Sequence, residues 1–279
     1  MGEPTQAEGS PTHNVPQPCA NCGAPLSGRY SAACGQRAVE ARDFSVIRLS
    51  RDWLAADFSL DSRGLVTLRR LLFAPGRLSV DYMAGRRSAT YSPFQIFVLV
   101  SLVFFLLPDN YDIVKVPARW FFGEFMDLTN AKMESLELSY AELSILYDNR
   151  VGTNSKLGLI TIIGALALVS WIIGFGQVKE FGKHFVATLH NVCFVMTMFL
   201  LMIPLIVLIN VLLPIDLPRR GIEAFSAMLV LIYITLSQRC VLRVGMMRSI
   251  YHGILLFVAL VASIYFYRIG ISWLTLWSL

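Results

Sequence analysis

The residues best suited to chemistry in this 279-residue chain are three cysteines near its start. Cys19-x2-Cys22-Gly23 is followed by Ser31-x2-Cys34-Gly35. Two CxxC knuckles would offer Zn²⁺ four thiolates at tetrahedral spacing, and a glycine after the second cysteine permits the tight turn whose N–H groups face sulfur. Here Ser31 occupies the position of the fourth cysteine, so three thiolates remain. The fourth ligand is left open between His13, a water molecule and none at all. Residues 1–30 carry no apolar core of the kind an export signal needs, which places the N-terminus in a reducing compartment. There, metal binding is favoured over a disulfide. With no core of its own, so small a unit would use Zn²⁺ structurally.

A second set of reactive side chains lies in the C-terminal half. His184, His190, Cys193, Cys240 and His252 all fall near the cytoplasmic ends of hydrophobic segments, at the level of Asn191 and Gln238. Ionisable groups within membrane segments are costly and often functional. The set could handle protons or a transition metal, but His184 and His190 are six residues apart, about 600° of helix, and do not share a face. Histidine and asparagine at a water interface, with cysteine as a small apolar filler, account for the same residues. The sequence offers no Gly-rich phosphate loop and no Ser/His/Asp set.

The elements that must position these groups are mostly hydrophobic. Apolar residues make up 55% of the chain and charged residues 15%, against about 25% charged in soluble proteins. Mean hydropathy is +0.58. A bilayer core of ~30 Å needs about 20 apolar helical residues, and five segments approach that: about 88–108, 157–178, 185–215, 222–240 and 249–267. Between the first two lies an acidic outer loop, 109–156. Within it Met133, Leu136, Tyr140, Leu143 and Leu146 predict one helix running from an N-cap at Asn130 to about Asn149. Trp273 and Trp277 suit an interfacial anchor. With the N-terminus inside, the inner segments carry 16 Lys/Arg and the outer ones 8, the bias expected of a five-span, C-out topology. A four-span form with the C-terminus inside is the alternative. The net charge of +5 follows this topology and argues against a nucleic-acid partner.

Ahead of the spans, residues 1–18 read as a disordered tail, 19–36 as a zinc-ribbon-like knuckle, and 37–87 as cytoplasmic and interfacial helices. The interval 88–279 reads as the transmembrane domain. Phe44, Ile47, Trp53, Leu54 and Phe58 fit a short cytoplasmic helix or two. Leu65, Leu68, Leu71 and Leu72 recur at helical spacing until Pro75-Gly76. Arg69, Arg70, Arg77, Arg86 and Arg87 would then rest on anionic lipid headgroups, the first 93 residues holding 11 Arg and no Lys.

Taken together, these motifs resemble a known family. Cys19, Cys22, Cys34, Gly35 and Gln36 form a split CxxCG…CGQ. Thr67, Leu68, Leu71, Leu72, Pro75, Gly76 and Arg77 form T-L-x-x-L-L-x-x-P-G-R. Tyr82, Gly85, Arg86, Arg87, Tyr91 and Pro93 complete Y-x-x-G-R-R-x-x-x-Y-x-P. The combination, from about residue 19 through the third span, resembles the bacterial family known as domain of unknown function 3667. The resemblance implies a zinc-ribbon-like head on a polytopic inner-membrane protein with no assigned activity; Ser31 departs from that pattern. The fold expected is mainly α: a polytopic bundle of about five spans, with the small head and an amphipathic interfacial segment. The function expected is that of a non-enzymatic interaction, scaffold or sensing protein of the bacterial inner membrane, with a protein partner at its cytoplasmic head. A small transporter or channel and a lipid-modifying enzyme are the alternatives.

Overall fold

Ten helices account for the regular secondary structure of the described residues, apart from two isolated β-bridges in the head. The computed structural model describes residues 18–26, 28–39, 62–106, 115–157, 159–213 and 218–279. His13, the N-terminal tail and the expected helices of 40–61 lie outside them. The helices are α1 (Ser62–Phe73), α2 (Arg77–Met83), α3 (Pro93–Phe105), α4 (Ala118–Glu124), α5 (Met126–Leu136), α6 (Tyr140–Leu157), α7 (Leu159–Gly174), α8 (Phe181–Leu212), α9 (Arg219–Leu242) and α10 (Met246–Trp277).

Three of these, α8, α9 and α10, are long and apolar enough to cross a membrane, which makes this a membrane protein by the length and composition of its helices. At 1.5 Å per residue, the 32-residue α8 and α10 reach ~48 Å, beyond the ~30 Å of a hydrocarbon core. The segments expected at 88–108 and 157–178 are apolar but form shorter helices. The first begins only at Pro93, because Ser92 caps it. Gln95 N–H donates to Ser92 Oγ at 3.3 Å while Ser92 N–H donates to Gln95 Oε1 at 2.8 Å, a reciprocal capping box with proline at the first helical position. The second helix ends at Gly174.

Helix α8 is the centre of the bundle and touches α1, α2, α3, α7 and α9; α10 packs on α6, α7 and α9. The first half of α8 is buried through Met198. Beyond it, Leu201, Leu205, Leu208 and Val211 are exposed apolar residues of the kind a lipid environment covers. At the α9–α10 crossing the chains meet at Gly253, where an added Cβ would stand 3.0 Å from Thr235 Cα. Small residues permit such approach between membrane helices. The core holds Leu71, Leu78, Ile96, Phe194, Val230, Tyr233 and Leu256, with the Phe194 and Tyr233 rings stacked.

The single helix expected from Asn130 to Asn149 is two helices. Glu137 closes α5 in the left-handed region (φ 57°), and Ser139 opens α6, its Oγ accepting from Glu142 N–H at 3.3 Å while its own N–H donates to Glu142 Oε2 at 2.9 Å. That Ser-x-x-Glu box is written in the sequence and outweighs the apolar face running across it. Asn130 lies inside α5 and Asn149 inside α6. Leu143, Tyr147 and Val151 of α6 join Phe121, Phe122 and Leu276 in a separate core that fastens this region to the end of α10.

The segment expected to lie in the interface is partly folded into the bundle. Gly76 (φ 76°) precedes α2 and sits against α9, where a Cβ would meet Ser237 O at 2.8 Å. Leu78, Ser79, Asp81 and Tyr82 of α2 are buried. Helix α1 keeps an exposed apolar face, with Leu65 76% and Phe73 80% accessible.

Candidate functional site: the head, its seat and the arginine cluster

The head is two tight turns. Cys19 N–H donates to Ala24 C=O and Gly23 N–H to Cys19 C=O, each at 2.8 Å; Ser31, Gly35 and Gln36 repeat the pattern at the same distances. Gly23 and Gly35 have φ of 75° and 70°, a conformation open to glycine at little cost. The turns bring Cys19, Cys22 and Cys34 together with their sulfur atoms within 4.8 Å of one another. Cys19 and Cys34 Sγ are 3.7 Å apart, and Cys22 Sγ is 3.4 Å from Ser31 Oγ. Donors about 2.3 Å from a central zinc ion stand ~3.8 Å apart at tetrahedral corners, so the three cysteines fit such an ion. Hydrogen bonds from the Ser31 hydroxyl and the Gln36 backbone draw the Cys34 thiol down to about 6, which favours the thiolate a metal needs.

Gln36, beside the second turn, seats the head on the bundle. Its side-chain Nε2 donates to Gly85 C=O and its Oε1 accepts from Arg87 N–H at 2.9 Å. One amide thus pairs with the backbone of the turn after α2. Gly85 has φ 82°, and a Cβ there would lie 2.7 Å from Val39 Cγ2 and 2.8 Å from Ala20 Cβ. The glycine is required both for its backbone conformation and for the contact.

Below the seat, Asp81 gathers three of the arginines expected at headgroups. Its carboxylate is 2.5 Å from Arg86 Nη2, 3.2 Å from Arg70 Nη1 and 3.5 Å from Arg77 Nε. Asp81 is 4% exposed, and a buried carboxylate persists only where it is paired and hydrogen-bonded. Three guanidinium groups on one carboxylate leave a surplus of positive charge, and all three are partly open to solvent. Arg87 lies over the Tyr82 ring, 4.2 Å from its centroid, a cation–π contact. Arg69 is exposed. Asp81 was not singled out by motif. Its signal was its isolation, the one acid among six arginines between residues 62 and 108.

The histidines occupy separate environments. His184 bonds through Nδ1 to Ser170 Oγ at 3.0 Å and through Nε2 to Val178 C=O at 2.9 Å, closing the α7–α8 turn. His190, 2% exposed, bonds through Nδ1 to Ser79 of α2 at 2.9 Å, and its Nε2 is buried without a partner among the described residues. The same holds for Gln238 Oε1 and His252 Nδ1. Asn191 accepts from Ser237 Oγ at 2.8 Å. Cys193 lies in the apolar core. The cysteines of the head are the one cluster of three metal-capable side chains among the described residues.

Two apolar grooves flank α3. One, of ≈ 790 Å³, runs between α1 and α3 past Leu65, Leu68 and Tyr91; the other, of ≈ 770 Å³, runs between α3 and α8 past Pro204.

No curated protein and no solved structure matches the chain. Residues 61–105, which hold α1, α2, α3 and the Asp81 cluster, match the family described as "Protein of unknown function (DUF3667)", and this chain resembles that family.

Proposed function

We propose that this is a multi-pass protein of the bacterial inner membrane that acts by interaction rather than catalysis, presenting a cytoplasmic zinc-ribbon-like head to a protein partner. The observation that carries the reading is the Gln36 amide paired with the backbone of Gly85 and Arg87. It fixes a small module on the arginine cluster that the charge bias of the chain assigns to the cytoplasmic face. The solvent-facing sides of Arg69, Arg70, Arg77 and Arg86 would meet anionic headgroups, each basic group near such a surface contributing about 1 kcal/mol. In this reading α3 and α7 complete five crossings, aided by the residues flanking them. The grooves beside α3 are lined mainly by Leu, Val and Ile, with Thr67, Tyr91 and Thr197 among them, which suits acyl chains better than a polar solute and gives less support to a transport pathway.

Tyr30, 61% exposed on the head, is the position from which to test this. A photo-crosslinking side chain placed there is expected to form one specific protein adduct in native membranes. Gln36→Ala and Gly85→Ala, which unseat the head, should diminish it severalfold at equal expression. Absence of any adduct, or an adduct indifferent to both substitutions, would overturn the reading.

A further inference from the structure

The head is built twice over. Cys19 N–H to Ala24 C=O and Gly23 N–H to Cys19 C=O in the first turn become Ser31 N–H to Gln36 C=O and Gly35 N–H to Ser31 C=O in the second, all at 2.8 Å. The glycines share their left-handed backbone. The internal twofold therefore relates Cys22 to Cys34 and Cys19 to Ser31. Cys19 and Ser31 are both buried, the serine at 2% exposure, while Cys22 lies exposed and Cys34 between. Ser31 Oγ is 3.4 Å from Cys22 Sγ, as Cys19 Sγ is 3.7 Å from Cys34 Sγ. By that symmetry the hydroxyl takes the fourth corner of the cluster.

We propose that Ser31 supplies the fourth donor of a metal site, a neutral hydroxyl oxygen beside the thiolates of Cys19, Cys22 and Cys34. This goes beyond the docking role, which needs the head only to be seated. With a divalent ion held by three thiolates and the hydroxyl keeping its proton, the site carries one negative charge where four thiolates would carry two. Three thiolates select Zn²⁺ over Mg²⁺ and Ca²⁺. The weak oxygen corner makes the site looser than a four-thiolate ribbon and open to exchange at one position, as catalytic zinc sites are and structural ones are not.

Cobalt(II) titration of the full chain in detergent, metal-free and reduced, tests this, because thiolate-to-cobalt charge-transfer absorption scales with the number of sulfur ligands. The wild type should bind one Co²⁺ with the intensity of three thiolates. Ser31→Cys should raise that intensity by a third and tighten binding roughly tenfold or more. Ser31→Ala should keep the three-thiolate band, shift the ligand-field bands and weaken binding; Ser31→Thr, which retains the hydroxyl, should match the wild type, and His13→Ala should change nothing. The proposal is overturned if Ser31→Ala matches the wild type in spectrum and affinity, if His13→Ala alters either, if Ser31→Cys gains no charge-transfer intensity, or if the wild type binds no cobalt. The adduct formed from Tyr30 reports the docking role separately: its absence overturns docking whatever the cobalt spectra show, and the spectra decide the role of Ser31 whether or not an adduct forms.

Discussion

Three ion pairs converge on one carboxylate, that of Asp81. It is buried on α2, and arginines from α1, from α2 itself and from the turn after α2 reach it. Removing one partner of a buried ion pair costs ~3–5 kcal/mol because the other charge is left uncompensated. The arginines here are partly in water, which reduces that cost, since exposed pairs contribute 1 kcal/mol or less in general. Asp81→Ala should therefore destabilise the protein by about 2 kcal/mol, read as a lower midpoint of thermal unfolding in detergent. Arg77→Ala removes the longest and most exposed of the three contacts and should cost under ~1 kcal/mol. A cluster that serves headgroups alone would show the opposite order, with Asp81→Ala neutral.

At the scale of elements, close approach and capping decide what forms. Gly253 brings α10 against Thr235, so Gly253→Ala must push the helices apart; overpacking of this kind costs ~1–3 kcal/mol, measurable by the same unfolding experiment. The start of α6 should respond to pH. Hydrogen bonds from Ser139 hold the Glu142 carboxyl below its ordinary range. Its contribution is therefore complete above that range and is lost as pH falls through the lowered value, so helicity should drop on acidification in the wild type and lose that dependence in Glu142→Gln. How far the sequence foretold these elements follows from their physics. The long apolar runs of α8, α9 and α10 were legible because length and hydropathy suffice for a membrane helix. The break at Glu137 was hidden by apolar residues that continue in register across it, although the Ser139–Glu142 box marked the restart. The cysteine cluster was legible because knuckle spacing is local. Its seat on Gly85 was not, since Gln36 meets a turn 49 residues away and no periodicity encodes that contact. Likewise the arginines were found, but read as facing lipid alone, because what pairs a charge is set by tertiary packing.

For the molecule as a whole, the head, the arginine cluster and the bundle form one connected series of contacts. Gln36 joins the second turn of the head to Gly85 and Arg87; Arg86 passes to Asp81; and Ser79, two residues before Asp81, reaches His190 on the central helix. The Gln36 amide adjoins Cys34-Gly35 on one side and the turn after α2 on the other, so with the proposed metal site occupancy of the head and its seating belong to one thermodynamic cycle. Linkage is reciprocal: whatever factor by which a bound ion tightens the seat, the seat must tighten the ion by the same factor. Gln36→Ala should then weaken Co²⁺ binding although the glutamine side chain gives the metal no atom, a result competition titration would show directly. By the same reciprocity, any change in bilayer charge that draws on Arg86 or Arg87 would be felt at the cysteines as a change in metal affinity.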